Sequence, residues 1–250
     1  MIITKTPFRI SLAGGGTDFK SFYKNRDGKV LSFTIDKFIY VMVKRQLGIV
    51  DYKYKITWSR VEFCNKINEI EHPIVRETLK YFKINYPIEI STYADVPSNT
   101  GLGSSSSFAV GLVNAISALQ NIKLSKHRIA EIASKIEVDI LKRPMGRQDH
   151  YASCFGGINK ITFKKSKILV KPLIKNEKFL EIVKNNFFLF YTNMRRDSSD
   201  VLKKQLNINK KQEVVLCKMR DQVDQIESLI EKKKDLSEIG NILDQGWSLK

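Results

Sequence analysis

The stretch Pro97-Ser-Asn-Thr-Gly-Leu-Gly-Ser-Ser-Ser-Ser107 decides how this chain is organised. It follows a strand-like run, Ile88–Ala94, and precedes an apolar helical run, Phe108–Leu119. Gly101 and Gly103 permit backbone torsions that side chains forbid, so a ligand can approach the main chain closely. The serines open the helix, where free N–H groups and the positive end of the helix dipole face the same point. Together these features predict a polyphosphate-binding site.

The alternative is a serine-rich loop with an ordinary helix N-cap. The order of strand, glycines, serines and apolar helix favours the phosphate loop. It is not a Walker loop, because no lysine follows Gly103, and it lacks the third glycine of the dinucleotide and protein-kinase loops, since Ser106 stands there.

Composition indicates a folded, basic protein. Its length of 250 residues is typical of one large or two modest domains. Its hydrophobic fraction of 42% indicates a packed globular protein. Its 43 basic and 26 acidic residues give a net charge of +17, which suits anionic partners such as nucleotides, sugar phosphates or nucleic acid. The lysines are spread along the chain, and this favours a solvated surface over a nucleic-acid patch.

Cysteine use and hydropathy predict a cytoplasmic protein. Cys64, Cys154 and Cys217 are odd in number and far apart, so a disulfide framework or a zinc site is not expected. Lys5, Pro7 and Arg9 interrupt the place where a signal peptide needs its apolar core. No apolar run approaches the roughly 18 residues of a membrane span.

A triple-glycine turn, Gly14-Gly-Gly16, follows the first strand-like segment. We expect a strand over Met1–Thr6 that ends at Pro7, and then a second strand-like run from Phe8 into the glycines. Three glycines weaken regular structure, so a close backbone approach is expected there, with a mobile surface turn as the alternative. Thr17 and Asp18 then supply a hydroxyl and a carboxylate, as a polyol-binding pocket would.

The rest of the chain alternates short strands with helices, and a weak domain boundary falls near Asn185. The pattern predicts strands at Val30–Arg45 (one or two), Asp51–Trp58, Ile158–Phe163, Ile168–Lys171 and, buried, Phe187–Tyr191, and helices at Pro73–Phe82, after Ser125, at Ser198–Gln205 and at Glu213–Glu231. In the last helix Leu216, Met219, Val223, Ile226 and Ile230 form one apolar stripe, which predicts core packing.

A second cluster of polar residues lies at Gly146-Arg-Gln-Asp-His150. Asp149 could accept a proton from a substrate hydroxyl, and the neighbouring Arg147 would keep it ionised. Glu137 precedes it by twelve residues, and a carboxylate with a serine hydroxyl is the type of oxygen ligand that magnesium takes beside nucleotide phosphates. Taken alone, an Asp–Glu pair at this distance is more typical of surface ion pairing, and His150 is more typical of a structural histidine.

Three segments together resemble the GHMP small-molecule kinases, in the family's order and spacing. Pro7–Asp18 is similar to their first motif, Pro97–Ser107 to their phosphate loop, and Glu137 with Gly146–Asp149 and Phe155-Gly-Gly157 to their metal and catalytic region. Gly-Gly-Gly-Thr-Asp and Gly-Arg-Gln-Asp-His-Tyr look most like the branch that phosphorylates D-glycero-D-manno-heptose 7-phosphate. The segment Tyr191–Ser199 is similar to a sugar-phosphate kinase segment.

The resemblance implies an α+β GHMP kinase fold and an ATP-dependent sugar kinase. We expect an N-terminal domain with a left-handed βαβ unit over residues 1–185 and a ferredoxin-like C-terminal domain over 186–250, incomplete because the family's third glycine-rich motif is absent and Gly240 and Gly246 stand alone. The implied reaction phosphorylates the anomeric hydroxyl of heptose 7-phosphate to the 1,7-bisphosphate, for nucleotide-heptose and surface polysaccharide synthesis, with ATP and Mg²⁺. A fucose- or galactose-type kinase, a basic nucleic-acid-binding module and an inactive remnant are the alternatives, and a homodimer stays open.

The same resemblance implies a role for each motif residue. Asp149 is the expected base and Arg9 stabilises the transferred group, while Ser105 and Glu137 hold the metal. The expected ATP-binding residues are Pro97, Gly101, Leu102, Gly103, Ser104, Ser105 and Ser106. The expected substrate-binding residues are Gly14, Gly15, Gly16, Thr17, Asp18, Arg147, Thr192, Arg196 and Ser198.

Overall fold

The computed structural model describes residues 1–173, 183–192, 209–232 and 237–249, and its contacts divide the chain into two compact units. Unit 1 contains Met1–Phe8, Ile35–Arg143 and Asp149–Cys154; unit 2 contains Arg9–Thr34, Pro144–Gln148 and Phe155–Lys250. The chain therefore contributes several separate segments to each unit. The predicted boundary near residue 185 stays a prediction.

The chain alternates strands with helices, and two helices follow the last described strand. The strands are β1 (Ile2–Ala13), β2 (Gly28–Arg45), β3 (Tyr54–Thr57), β4 (Val61–Cys64), β5 (Ile88–Ala94), β6 (Ile158–Phe163) and β7 (Ile168–Pro172). The helices are α1 (Lys20–Tyr23), α2 (Pro73–Tyr81), α3 (Ser104–Leu119), α4 (Lys126–Ser134), α5 (Gln148–Phe155), α6 (Lys210–Glu231) and α7 (Ser237–Ser248), with a 3-10 turn at Ile67–Glu69 and a π-helical segment at Lys135–Ile140.

Unit 1 is a mixed sheet covered by helices. Its strand order is β4-β3-β5-β2, with β3 parallel to β5 and the other neighbours antiparallel. The sheet buries Val41, Ile56 and Ile90, each at most 1% exposed. Helix α3 is apolar on most of its surface, which is typical of a helix surrounded by protein, and Leu112 and Ile116 are fully buried in the same core.

Unit 2 combines an antiparallel sheet with the amphipathic helix α6. Residues Gly28–Phe33 of β2 pair with β6, and β6 pairs with β7. The predicted stripe of α6 is confirmed, since all five of its apolar residues are buried. On the polar side of α6, Lys160 lies between Asp224 (2.7 Å) and Glu227 (2.5 Å), so the helix is also held to the sheet by ion pairs.

Several predicted elements are confirmed and two are wrong. β5 and β6 have the predicted bounds, and α2 begins at Pro73 as expected. β1 does not end at Pro7 but continues to Ala13; among the described strands it pairs with β2 alone, and an edge strand tolerates a residue that has no N–H to donate. Phe187–Tyr191 is not a buried strand, because Phe188 and Phe190 are 74% and 81% exposed. An apolar run alone does not supply the partner strand that a β-strand needs.

Three other predicted features stay predictions. The helix at Ser198–Gln205 lies outside the described residues. The left-handed crossover and the ferredoxin-like character of the C-terminal domain are likewise expectations from the family resemblance. In the part of the chain that the structure describes, no helix is both long and apolar enough to cross a bilayer.

Candidate active site

The glycine-serine loop has the backbone geometry of an anion-binding concavity. Asn99, Gly101 and Gly103 have positive φ angles of 63°, 78° and 74°, so left-handed residues alternate with others along the loop. Such alternation turns successive N–H groups toward one point. The loop is exposed from Pro97 to Asn99 and at Gly101, so a ligand can reach it.

Helix α3 begins at this loop with free amides. Gly103 is its N-cap residue and no side chain caps the helix start among the described residues. The first helical hydrogen bond joins the Ser107 N–H to the Gly103 carbonyl oxygen at 3.0 Å, which leaves the amides of Ser104 to Ser106 without a partner inside the helix. Ser104 and Ser105 are half-buried, so their side chains also border the loop.

The next two serines face the protein interior. Ser107 donates its hydroxyl to the Pro7 carbonyl oxygen at 3.1 Å and lies 2.8 Å from the Ser153 hydroxyl. Ser106 is fully buried, and its hydroxyl has no hydrogen-bond partner among the described residues. Leu102 packs against the core of unit 1. The side chains of Ser106 and Leu102 thus lie against the protein, and contact of either residue with a nucleotide stays a prediction.

Glu137 is the buried centre of a polar cluster in unit 1. It lies in the π-helical segment and is 0% exposed. Its Oε1 accepts hydrogen bonds from the Ser105 hydroxyl and from Nη1 of Arg143 (2.8 Å), and its Oε2 lies 2.8 Å from Nε2 of His150. Burial raises the pKa of Glu137, but the bonds from His150 and Ser105 and the charge of Arg143 more than offset this, and the pKa lies below its ordinary value.

This cluster brings several predicted site residues together. The two predicted metal-binding residues, Ser105 and Glu137, are in direct contact. Asp149 is half-buried in the first turn of α5, directly before the His150 that bonds Glu137, and its role as the base stays a prediction. The Glu137 carboxylate, through Ser105 and His150, thus links the first turn of α3 to the first turn of α5. Sequence reasoning missed Arg143, whose only local signal is its place before Pro144.

The donor set suits magnesium but does not complete its coordination. A carboxylate and a hydroxyl are hard oxygen ligands of the kind that Mg²⁺ prefers. Within the described ranges, no group of three or more His, Cys, Asp and Glu residues could hold a metal ion. A magnesium ion on Glu137 and Ser105 would therefore take its other ligands from nucleotide phosphates and water.

In unit 2 the triple-glycine turn is folded around Thr17. Thr17 is fully buried, and its hydroxyl lies 2.7 Å from the Gly14 carbonyl oxygen and accepts the Lys29 N–H at 3.0 Å. Gly14 has a φ of 81°, and a Cβ there would lie 1.9 Å from the Lys29 carbonyl oxygen. Only glycine fits at this position. Thr17 holds the turn in this structure, and its contact with a sugar stays a prediction.

Asp18 fixes the start of α5. Its carboxylate is 1% exposed and accepts from the Gly16 N–H (3.1 Å), the Gln148 N–H (3.0 Å) and the Gln148 side-chain amide (3.2 Å). Gln148 in turn accepts the Ser11 hydroxyl at 2.8 Å. A Cβ on Gly146 would lie 1.9 Å from the Asp18 carboxylate, so the two segments approach each other as closely as a glycine allows. Sequence reasoning missed Ser11 and Gln148.

For Arg9, the second predicted catalytic residue, and for the remaining predicted substrate-binding residues, the structure gives fewer contacts. Arg9 lies in β1 and is half-buried, and the Arg147 N–H donates to the Asp18 carbonyl oxygen at 3.3 Å. Gly15 has space for a Cβ, with its nearest neighbour 3.6 Å away. Thr192 is exposed, and Arg196 and Ser198 lie outside the described residues. That the predicted site residues of unit 1 and unit 2 bind the substrates together stays a prediction.

Comparison with known proteins identifies the family. The family described as GHMP kinases N terminal domain matches residues 68–157. The whole chain is 32% identical to the D-glycero-alpha-D-manno-heptose 7-phosphate kinase of Campylobacter jejuni subsp. jejuni serotype O:2, over 266 aligned positions that cover 77% of that protein.

Solved structures with low identity share the fold. The chain matches a D-glycero-D-manno-heptose 1-phosphate kinase from Bacteroides thetaiotaomicron with a TM-score of 0.79 at 20% identity, covering all of this chain and 79% of that one. It matches the mevalonate kinase of Methanococcus jannaschii with a TM-score of 0.69 at 20% identity, covering 99% and 78%. The predicted GHMP kinase fold class is thereby confirmed.

Proposed function

This chain belongs to the GHMP kinase family and is an ATP-dependent phosphotransferase acting on a sugar, and we propose that its acceptor is the anomeric hydroxyl of D-glycero-D-manno-heptose 7-phosphate. The product would be the 1,7-bisphosphate, used in nucleotide-heptose and surface polysaccharide synthesis. The observation that carries the proposal is the 32% identity over the whole chain to a kinase of that name. The buried Asp18–Gln148 network supports it, because it belongs to a motif that resembles the same branch.

The nucleotide is held at the start of α3 in this proposal. The free amides of Ser104 to Ser106 and the left-handed turns at Gly101 and Gly103 would surround the β- and γ-phosphates. Pro97 and Leu102 shape the loop. Phosphoryl transfer depends mostly on positioning and on neutralising charge, and a helix start supplies both.

Asp149 is the proposed base. It would take the proton from the anomeric hydroxyl as that oxygen bonds to the γ-phosphorus and the bond to the β–γ bridging oxygen breaks, releasing ADP. Arg9 would stabilise the charge on the transferred group. Asp18 supports the base indirectly, since it accepts the Gln148 N–H at the residue before Asp149.

Magnesium would be held by Ser105 and Glu137 together with nucleotide phosphates. When bound, it neutralises the charge that develops on the phosphate oxygens. His150 fixes the orientation of the Glu137 carboxylate through its bond to Oε2, and Glu137 is kept ionised by its partners, which hold its pKa below the ordinary value. The sugar would lie against the triple-glycine turn, Gly14 to Gly16, with Arg147, Thr192, Arg196 and Ser198 as candidate contacts for its phosphate.

The acceptor is tested with purified protein, ATP and Mg²⁺. Heptose 7-phosphate, the unphosphorylated heptose, fucose and galactose are supplied separately, and products are read by phosphorus NMR. We expect a new anomeric phosphate signal with heptose 7-phosphate, at a kcat/KM at least about tenfold above the other sugars, which corresponds to about 1.4 kcal/mol of selective transition-state binding. A higher kcat/KM with fucose or galactose would reject the heptose assignment while leaving the kinase class intact.

A further inference from the structure

Arg143 occupies the space that the proposed metal needs. One nitrogen of its guanidinium, Nη1, donates to the Ser105 hydroxyl at 2.6 Å and to Oε1 of Glu137 at 2.8 Å. These two oxygens are the protein ligands that the proposed function gives to magnesium. The other carboxylate oxygen faces His150. A metal ion on Ser105 and Glu137 therefore has to displace the guanidinium.

The backbone is folded to bring Arg143 to this place. After the π-helical segment, Lys142 has a φ of 54°, an uncommon conformation for a residue with a side chain. The Arg143 N–H then donates to the carbonyl oxygen of Glu137 itself at 3.0 Å. Residue 143 is thus attached to Glu137 through both its main chain and its side chain. π-helical segments of this kind often occur at functional sites.

The guanidinium is attached but accessible. Its side chain is 34% exposed, whereas Glu137 is 0% exposed. The guanidinium forms an ion pair with Glu137 and so offsets the charge of that buried carboxylate. Its planar fork also suits phosphate oxygens, which can accept two parallel hydrogen bonds from it. A nucleotide at the start of α3 would offer Arg143 an alternative anionic partner.

We propose that Arg143 is a resident cation that fills the magnesium position on Ser105 and Glu137 until a nucleotide arrives. This inference rests on the metal role that the proposed function gives to those two residues. A bare divalent ion has to push the guanidinium off both oxygens, and the backbone keeps that positive charge close by, which is unfavourable because like charges repel at about 4 Å. A nucleotide draws the guanidinium toward its phosphates and supplies the remaining metal ligands. Metal and nucleotide should therefore bind together.

The test measures Mn²⁺ binding without sugar, using the electron paramagnetic resonance signal of free Mn²⁺. Wild-type protein without nucleotide should bind Mn²⁺ at least about tenfold more weakly than Arg143→Gln, which keeps a hydrogen-bond donor but removes the charge. Arg128→Gln is the matched control, because it removes an arginine paired with Glu131 on the exposed surface of α4. Equal Mn²⁺ affinity of Arg143→Gln and Arg128→Gln would overturn the inference.

Two further variants separate charge from disruption. Arg143→Lys retains a cation and should exclude Mn²⁺ nearly as well as wild type; Mn²⁺ binding as tight as in Arg143→Gln would contradict the inference. Adding Glu137→Gln to Arg143→Gln should abolish the new Mn²⁺ site, and its survival would place the metal elsewhere. If Arg143→Gln does not fold, the lysine variant and wild type still decide the question, since tight Mn²⁺ binding by nucleotide-free wild type rejects the inference.

The outcome is independent of which sugar the enzyme uses. Failure of wild type to bind Mn²⁺ in the presence of a non-hydrolysable ATP analogue would count against the proposed metal site. Success in that arm, combined with equal nucleotide-free binding by wild type and Arg143→Gln, would count only against the role of Arg143.

Discussion

Replacing Gly146 with alanine should loosen the network that holds α5. A Cβ at residue 146 would lie 1.9 Å from Oδ2 of Asp18 and 2.3 Å from its Cγ. The carboxylate therefore has to move by more than about 1 Å to reach ordinary contact distance. That movement breaks the 3.0 Å bond from the Gln148 N–H and strains the bond from its side chain. Asp18 is 1% exposed, so water cannot replace the hydrogen bonds that its carboxylate loses.

The expected cost is about 3 kcal/mol of unfolding free energy, because a hydrogen bond to a charged group contributes about 1.5–3 kcal/mol and leaving a buried partner unpaired adds to this. In a chain of this size the melting temperature should fall by roughly 6–12 °C. Turnover should fall as well, because Asp149 follows Gln148 directly in α5.

Thermal and urea unfolding followed by circular dichroism measure the effect. Gly240→Ala is the matched control, because a Cβ added to Gly240 in α7 would meet no atom of the described residues within 4 Å. Alanine there should stabilise the helix by about 0.5–1 kcal/mol. A Gly146→Ala protein as stable as wild type would refute the reasoning about Asp18.

Two further predictions concern charged side chains. Burial lowers the pKa of His72 from 6.5 to about 4, so the unfolded state binds a proton that the folded state does not. The free energy of unfolding should therefore fall by about 3 kcal/mol as the pH drops from 6.5 to about 4. His72 caps the start of α2, and His72→Asn keeps a capping oxygen but removes the titrating ring, so its urea unfolding should lack this part of the pH dependence. Lys160→Met leaves Asp224 and Glu227 without their shared partner, a lysine side chain that is only 15% exposed. Lys160→Met should lower the free energy of unfolding in urea by about 2 kcal/mol, whereas Lys164→Met, at the exposed pair with Asp27, should lower it by less than about 0.5 kcal/mol. Equal losses in the two variants would show that the burial of Lys160 does not strengthen its ion pairs.

Local chemistry made much of the fold predictable. Pro73 can begin a helix but cannot continue one, and the predicted helix after Ser125 begins with the Ser125 side chain accepting the Arg128 N–H. Pairing was harder to predict. Whether β1 continues past Pro7, and whether Phe187–Tyr191 pairs at all, depends on partner strands far away in the sequence, and residue composition does not encode them directly.

The site was predictable where backbone geometry requires a particular residue. Gly101 and Gly103 do have the left-handed torsions that the phosphate loop needs. Side-chain partnerships between distant segments were not readable, because many arginines could in principle reach Glu137 and only the turn at Lys142 selects Arg143. The burial of Thr17 was not predicted, because its partner is the backbone of Lys29 in β2.

The central claim is that Asp149 is the base that acts on a sugar while the loop before α3 independently holds ATP. It is tested most directly by measuring turnover and ATP-analogue affinity in Asp149→Asn, with the exposed Asp51→Asn as the control. We predict that Asp149→Asn lowers kcat by about 10² to 10⁴ and changes the affinity by less than about twofold, while Asp51→Asn changes neither. Turnover in Asp149→Asn equal to that of the control would contradict the account.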